Sequence, residues 1–256
     1  MWIPETFGRN PFAHAAWLLA NTTSLVIATG IANIYYREPG VTLAAQHTLA
    51  EQSDDRFLLG LGVSHQPLVE GLRGLTYGKP VSTMRAYLQK MKASPYSAPR
   101  IAEAPKTVIA ALGPNMLKLA ASEVDGAHPY FTSPVHTKMA RETMGPEAWL
   151  CVEQKVIMET DAAQARAAAR RAASTYQGLP NYRNNWLRMG LSESDFNESG
   201  SDEFIDATFA WGDVDAIRER IDEHMQAGAS HVCVQPIRAD GKIQQPDWDA
   251  LEALST

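Results

Sequence analysis

Short apolar runs alternate along the chain with amphipathic stretches, and this alternation predicts parallel β-strands covered by helices. Runs such as Leu25-Val26-Ile27-Ala28 and Val108-Ile109-Ala110-Ala111 are apolar at every position, a pattern typical of strands that are buried on both faces. Seven strands with intervening helices favour a (β/α)8 barrel or an open, doubly wound sheet. The predicted strands span about residues 1–4, 24–30, 56–61, 107–112, 126–128, 151–158 and 231–235.

Prolines mark several predicted helix starts, because proline fits the first helical position, where its missing N–H loses no hydrogen bond. In Asn10-Pro11 and Ser133-Pro134, a side chain that can cap the helix precedes the proline. Further predicted helices span about residues 41–53, 80–93, 114–122, 134–144 and 247–254.

The clearest helix begins after Asp213 and leads directly into the last predicted strand. Gly228 can adopt the left-handed conformation that ends a helix. One face of this helix carries four apolar side chains, Val214, Ile217, Ile221 and Met225. We expect this face to pack against the sheet.

Two predicted connections are longer than the usual length of about 4–6 residues. They span residues 62–79 and 159–212, and both follow the carboxyl ends of strands, where α/β proteins bind ligands. The second connection contains a helix rich in alanine and arginine and an aromatic, asparagine-rich stretch at residues 182–186. We expect the helix to serve as scaffold.

Composition narrows the class of protein and of ligand. The 256 residues are 45% hydrophobic and 20% charged, as in a soluble globular domain. The net charge of −6 and the lack of a basic run argue against nucleic acid and membrane partners, so we expect a small-molecule substrate. Cys151 and Cys233 lack a CxxC spacing, which favours free thiols in the reducing cytoplasm.

Familiar catalytic motifs are missing from the sequence, which contains no HExxH, no GxxxxGK[ST], no GxSxG and no EF-hand loop. We therefore expect no metal site. Gly60-Leu61-Gly62-Val63-Ser64-His65 begins like a dinucleotide-binding fingerprint, but His65 occupies the third glycine position. This departure argues against an NAD site of the Rossmann type.

Polar and glycine-rich segments follow four of the predicted strands, at residues 29–33, 62–65, 112–115 and 125–130. Glycines such as Gly30, Gly62 and Gly113 let the backbone approach a flat ring or a phosphate, and the helix that begins after Gly113 offers N–H groups to an anion. Each glycine taken alone also fits a simple turn.

Three ionisable residues at the same strand ends are candidates for proton transfer. His65 and His128 can exchange a proton near neutral pH, although a lone histidine can equally serve as a structural hydrogen-bonding group. Glu5 is either an acid/base group or a salt-bridge partner. Four other histidines, His14, His47, His136 and His224, fall on predicted helices, where we expect them at the surface.

Several of these segments, taken in order, resemble the bacterial luciferase-like monooxygenase superfamily, and more narrowly its branch that uses the deazaflavin coenzyme F420. The resemblance runs from Trp2 to about Pro236. It is carried by Trp2-Ile3-Pro4-Glu5, Ala28-Thr29-Gly30-Ile31-Ala32-Asn33-Ile34-Tyr35, Phe57-Leu58-Leu59-Gly60-Leu61-Gly62-Val63-Ser64-His65, Ile109-Ala110-Ala111-Leu112-Gly113-Pro114 and Asp125-Gly126-Ala127-His128-Pro129-Tyr130.

The resemblance implies a (β/α)8 barrel that holds a flavin-type ring at the carboxyl ends of its strands. It implies a non-prolyl cis peptide at Gly30–Ile31 behind the ring, with Ala32 and Asn33 alongside, and an acid/base residue at Glu5. The remaining implied cofactor contacts are Val63 and Ser64 at the ring or ribityl chain, and Ala111, Leu112, Gly113 and Gly126 at the tail and phosphate.

The activity implied is that of an F420-dependent oxidoreductase, which moves a hydride between the deazaflavin and a small organic substrate while Glu5, His65 or His128 handles the proton. An FMN-dependent monooxygenase and a non-catalytic flavin-binding barrel are the alternatives. Family members begin with a strand and helix ahead of the segment that matches Trp2, so we expect one domain over 1–256 without the first βα unit. Residues 159–212 are expected to form its substrate-access insertion, and a homodimer is implied.

Overall fold

The computed structural model describes residues 1–197, 199–242 and 245–255. The chain divides into two compact units, Met1–His128 and Pro129–Thr256. Along the described residues, no helix combines the length and the apolar content needed to span a membrane.

The first unit alternates short parallel strands with helices. Its elements are β1 (Trp2–Ile3), α1 (Pro11–Ala20), β2 (Ile27–Thr29), β3 (Ala32–Asn33), α2 (Pro39–Gln52), β4 (Phe57–Gly62), α3 (Pro80–Ala93), β5 (Thr107–Ile109), α4 (Pro114–Glu123) and β6 (Gly126–Ala127). The strands pair in the order β1, β2, β4, β5 and β6, and β3 also pairs with β4. Strands β2 and β5 are buried along their whole length, as their apolar runs predict.

The second unit is built around one long strand. Its elements are α5 (Pro134–Met144), β7 (Trp149–Met158), α6 (Ala162–Ala173), α7 (Pro180–Arg188), α8 (Asp202–Thr208), β8 (Phe209–Gly212), α9 (Val214–Gln226), β9 (His231–Pro236) and α10 (Trp248–Leu254). Strand β7 pairs in parallel with β9 through Cys151–Val156 and with β8 through Lys155–Met158. Buried Val156, Ala210 and Ile217 form a small core between β7, β8 and α9.

The predicted connection 159–212 is wrong at its end, because Phe209–Gly212 form strand β8. This strand has only four residues and follows helix α8 directly, so the sequence gives no turn signal that would separate it from the preceding segment. The structure likewise adds β3, a strand of two residues. The predicted set of seven strands therefore omitted β3 and β8, two short strands that only their pairing partners reveal.

Helix α6 within this segment packs through its small side chains. Its alanines Ala165, Ala168, Ala169 and Ala173 are buried. Beside this buried face, the Arg166 guanidinium donates to the Asp206 carboxylate at 2.5 and 3.0 Å, and Arg170 pairs with Asp202. Helix α6 is thereby attached to α8 by ion pairs.

The predicted helix starts are confirmed, whereas the capping predictions hold only in part. The Asn10 side chain accepts hydrogen bonds from the N–H groups of Phe12 and Ala13, and Asp213 accepts one from Ala216. The Ser133 side chain makes no capping bond to the described residues. Proline alone is enough to start α5, because its ring fixes the backbone for the first turn.

The predicted apolar face of α9 is wrong at its last position. Ile217 is buried, but Met225 is 46% exposed and its neighbour His224 is fully buried. The His224 ring bonds through Nδ1 to the Thr137 hydroxyl and through Nε2 to the Gln154 side-chain oxygen, each at 2.8 Å. These two polar partners allow an imidazole to occupy the core.

His47 and His136 are also buried, so the expectation that the helical histidines lie at the surface is wrong for three of the four. The His47 ring stacks on Tyr96 at 4.7 Å between ring centroids. An amphipathic helix pattern does not reveal a polar side chain that finds its partners inside the protein. His14 is partly exposed.

We predict that His224 makes the fold acid-sensitive. Burial lowers the pKa of His224 to about 3, with smaller contributions from Arg220 and His136. The unfolded chain binds a proton at this residue below about pH 6.5 whereas the folded protein does not, so stability is lost as the pH falls from 6.5 towards 3. Chemical denaturation of His224→Gln at several pH values should give a slope of unfolding free energy against pH that is smaller by up to about 1.4 kcal/mol per pH unit.

The control is His14→Gln, which alters the partly exposed histidine of α1. Its slope should match that of the unchanged protein. Equal slopes for His224→Gln and the unchanged protein across pH 4 to 6.5 would show that the buried imidazole does not control acid sensitivity.

Candidate active site

The predicted site residues lie in the first unit, at or just beyond the carboxyl ends of its parallel strands. Because parallel strands end at the same edge of a sheet, the loops that follow them are neighbours there. The residues placed on this edge are Glu5 after β1, Gly30 and Ile31 after β2, Ala32 and Asn33 in β3, Val63, Ser64 and His65 after β4, Ala111, Leu112 and Gly113 after β5, Gly126 in β6 and His128 after it.

The link between β2 and β3 contains the cis peptide bond Gly30–Ile31 that the resemblance implies. The Thr29 hydroxyl, just before this bond, donates to the Gly60 carbonyl at 2.7 Å and accepts from the Gly60 N–H at 2.8 Å. A Cβ atom on Gly60 would collide with the Thr29 carbonyl, and one on Gly62 would collide with the Ile31 side chain.

Gly60 and Gly62 therefore leave space for the neighbouring segment, residues 29–31, to pack directly against β4. This packing accounts for a glycine at both positions. The Gly-Leu-Gly run is positioned to shape the backbone around Thr29 and Ile31.

Glu5 is held in an ion pair. Its carboxylate bonds to the Arg37 guanidinium and accepts the backbone N–H of Asn33 at 2.7 Å. The Arg37 side chain also donates to the Asn33 carbonyl at 3.0 Å and lies 4.9 Å from the centre of the Phe12 ring. The side chains of Glu5 and Arg37 are only 8% and 10% exposed, so this geometry favours the salt-bridge alternative for Glu5.

The N–H, the carbonyl and the side-chain oxygen of Asn33 all make hydrogen bonds with nearby residues. Besides its backbone bonds to Glu5 and Arg37, its side-chain oxygen accepts the N–H of Tyr35 at 3.0 Å and starts the short 3-10 helix Ile34–Tyr36. These bonds fix the direction in which the chain leaves the cis peptide.

His128 lies beside the same cis peptide. Its ring stacks on the Trp2 indole with 4.0 Å between centroids and 9° between planes, and its backbone N–H donates to Ile109 at 2.9 Å. A Cβ atom on Gly30 would lie 3.3 Å from the His128 Nε2. The structure thus brings together His128, Gly30 and a tryptophan that sequence reasoning did not single out.

Ser64 and His65 lie on the loop after β4. Ser64 has a left-handed backbone with φ of +56°, and its carbonyl accepts the Tyr77 hydroxyl at 3.2 Å. His65 is partly buried at the start of the π-helical turn Pro67–Leu72, where its carbonyl accepts the N–H groups of Leu68 and Val69. The sequence analysis did not single out Tyr77 either, because no motif or periodic pattern marks this residue within the predicted connection 62–79.

The start of α4 can hold an anion. Gly113 occupies the N-cap position and offers no side-chain acceptor to the first N–H groups of this ten-residue helix. Such N–H groups and the helix dipole favour a phosphate. Gly126 lies inside β6, paired with Val108 and two residues ahead of His128.

The chemistry of this edge fits a flavin-type cofactor. A tight backbone turn and a stacked imidazole can back a flat ring, while an uncapped helix start can receive an anionic tail. Within the part of the chain that the structure describes, no group of three or more His, Cys, Asp and Glu side chains is placed to hold a metal ion.

The chain is similar to known proteins over most of its length. The model of the luciferase-like monooxygenase family matches residues 1–231. The chain is 28% identical to 5,10-methylenetetrahydromethanopterin reductase of Archaeoglobus fulgidus, over 94% of this chain and 86% of the relative. It is 23% identical to a putative coenzyme F420-dependent oxidoreductase of Mycobacterium tuberculosis, over 90% and 84%.

A solved structure shares the fold. The coenzyme F420-dependent tetrahydromethanopterin reductase of Methanopyrus kandleri superposes with a TM-score of 0.69 at 16% identity, over 99% of this chain and 88% of the other. This likeness confirms the predicted α/β-barrel fold class. With a family match that extends over most of its length, the chain belongs to the luciferase-like monooxygenase family.

Proposed function

We propose that this protein is a coenzyme F420-dependent oxidoreductase that moves a hydride between the deazaflavin and a small organic substrate. The observation that carries the proposal is the meeting of the Gly30–Ile31 turn, the stacked His128 and the Gly113 helix start on one strand edge of a luciferase-like chain. The relatives named for F420 and for methylenetetrahydromethanopterin support it. When bound, the deazaflavin supplies two-electron hydride chemistry.

The proposed cofactor contacts follow the strand edge. Gly30, Ile31, Ala32 and Asn33 would lie behind the ring, Val63 and Ser64 would flank it, and Ala111, Leu112, Gly113 and Gly126 would reach its tail and phosphate. The glycine at 113 leaves helix N–H groups open to the anion. These residues orient the cofactor and exclude water from its ring.

Of the three candidates for proton transfer, we favour His128. Its ring is held by the Trp2 indole with Nε2 directed at Gly30, beside the turn proposed to back the ring. Glu5 is bonded to Arg37 and to the Asn33 backbone, so its role in this proposal is to hold the strand end. His65 remains a second candidate on the loop after β4.

The proposed function has two alternatives, an FMN-dependent monooxygenase and a non-catalytic barrel. The matching family is described as luciferase-like monooxygenases, which favours FMN as the alternative cofactor. A flavin-binding barrel without catalysis is the other alternative. Residues 1–256 as one domain, with the segment between β7 and β8 as its substrate-access part, stay predictions. A cytoplasmic location also stays a prediction, which the free thiols Cys151 and Cys233 support.

A homodimer is part of this proposal, and helix α1 is its proposed contact surface. The helix sequence PFAHAAWLLA contains no Asp, Glu, Lys or Arg, and Trp17 on it is 69% exposed. An uncharged helix face with an exposed tryptophan is typical of surfaces between like subunits.

The first prediction from the proposal concerns cofactor choice. Isothermal titration of the purified protein should show saturable binding of F420 and much weaker binding of FMN, because the edge is proposed to fit the deazaflavin. Tight FMN binding without F420 affinity would replace the proposal by the monooxygenase alternative. Binding of F420 with no hydride exchange under any donor would favour the non-catalytic barrel.

The second prediction concerns the proton. His128→Phe keeps an aromatic ring against Trp2 but removes the exchangeable proton, so kcat with F420 should fall about a hundredfold while F420 affinity changes little. The pH dependence of kcat should lose one of its limbs. His65→Gln is the matched comparison. A large loss of kcat in His65→Gln, with normal turnover in His128→Phe, would move the assignment to His65.

The third prediction concerns assembly. Sedimentation of Trp17→Lys should show a larger monomer fraction than the unchanged protein, because the substitution places a charge in the proposed contact. Trp248→Lys is the matched control, since Trp248 is also 69% exposed but lies on α10. Equal association of both variants would argue against α1 as the contact surface.

A further inference from the structure

The loop between β4 and α3 is a folded element. The π-helical turn Pro67–Leu72 buries Val69 completely. The Glu70 carboxylate accepts the Gln66 side-chain amide at 2.8 Å and the backbone N–H of Tyr77 at 3.0 Å. These bonds connect the start of the loop to its end.

Two tyrosines close this loop against the segment that contains the cis peptide. The rings of Tyr35 and Tyr77 stack with 5.4 Å between centroids and 27° between planes. The Tyr35 hydroxyl accepts the N–H of Gly78 at 2.9 Å, while the Tyr77 hydroxyl donates to the Ser64 carbonyl at 3.2 Å. Each phenol therefore binds a different part of the loop backbone.

The conformation of Ser64 needs support. Its φ of +56° lies in the left-handed region, which residues other than glycine adopt at a cost in energy, so surrounding contacts must enforce it. A hydrogen bond to the Ser64 carbonyl fixes the orientation of the peptide group that follows. Burial raises the pKa of Tyr77 to about 12, with a smaller contribution from the neighbouring Tyr35. The hydroxyl therefore remains a donor at physiological pH.

We infer that Tyr77 is a positioning residue for the cofactor. Its hydroxyl maintains the left-handed backbone of Ser64, and its ring, through Tyr35, joins the loop to residues 30–35. Both cofactor-facing segments are then in place before the cofactor binds, which reduces the ordering that binding requires. The inference rests on the proposed function for the assignment of Val63 and Ser64 to the cofactor.

The test compares four proteins by titration with F420, namely the unchanged protein, Tyr77→Phe, Ser64→Gly and the double variant. Tyr77→Phe removes one hydrogen bond and retains the stacked ring, so Kd should rise about fivefold. Glycine adopts a positive φ freely. In the Ser64→Gly background, Tyr77→Phe should therefore raise Kd less than about twofold.

Tyr87→Phe is the matched control. Tyr87 is buried, and its hydroxyl donates to a backbone carbonyl, that of Arg37 at 3.2 Å, and shares a hydrogen bond with the Thr42 hydroxyl at 2.5 Å, both outside the loop. Its loss should leave the F420 affinity within about twofold of the unchanged value. An equal rise in Kd on Tyr77→Phe in both backgrounds would show a general structural effect and overturn the inference.

Hydrogen exchange without cofactor separates this inference from the proposed function. Tyr77→Phe should increase amide exchange across residues 62–68, Tyr87→Phe should not, and Ser64→Gly should reduce the increase. If the unchanged protein binds no F420, the proposed function fails, and the exchange pattern still decides whether Tyr77 maintains the loop. Unchanged exchange over 62–68 in Tyr77→Phe would overturn the inference.

Discussion

The close approach of the chain at Thr29 to strand β4 determines the geometry of the candidate site. The Thr29 hydroxyl bonds to both backbone groups of Gly60, and neither Gly60 nor Gly62 has room for a Cβ atom. The Thr29 carbonyl and the Ile31 side chain occupy the space that Cβ atoms at these two positions would fill, so both positions require glycine. This packing sets where the Gly30–Ile31 turn lies, and with it the position of the residues that surround the turn.

Charge and aromatic contacts then hold the neighbouring strand ends around that turn. Glu5 gives a nearly buried carboxylate two compensating partners, the Arg37 guanidinium and the Asn33 N–H. A buried charge is tolerated when it is both paired and hydrogen-bonded, and here the pairing ties β1 to β3. His128 is fixed by a stack on Trp2 instead. Contacts with neighbouring strand ends therefore hold both Glu5 and His128 in place.

The sequence predicts the elements well where one local signal dominates. Pro80–Ala93 and Pro134–Met144 match their predicted bounds, because proline starts them and a regular pattern continues them. The cis peptide at Gly30–Ile31 followed from family resemblance. Other features depend on partners distant in sequence, and no local pattern reveals them. Strand β8 needs β7, and the hydroxyl of Tyr77 acts on a carbonyl 13 residues away.

Strand β7 carries two charged side chains, Glu153 and Lys155, inside the protein. Lys155 is fully buried, which lowers its pKa, yet its ammonium lies 3.1 Å from both Glu153 carboxylate oxygens and 3.6 Å from the Tyr130 ring centre. The same carboxylate accepts the Phe131 N–H at 2.9 Å. Residues two apart share one face of a strand, so Glu153 and Lys155 neutralise each other within β7. The aromatic rings shield this pair from water, and the charges give those rings a fixed place to pack.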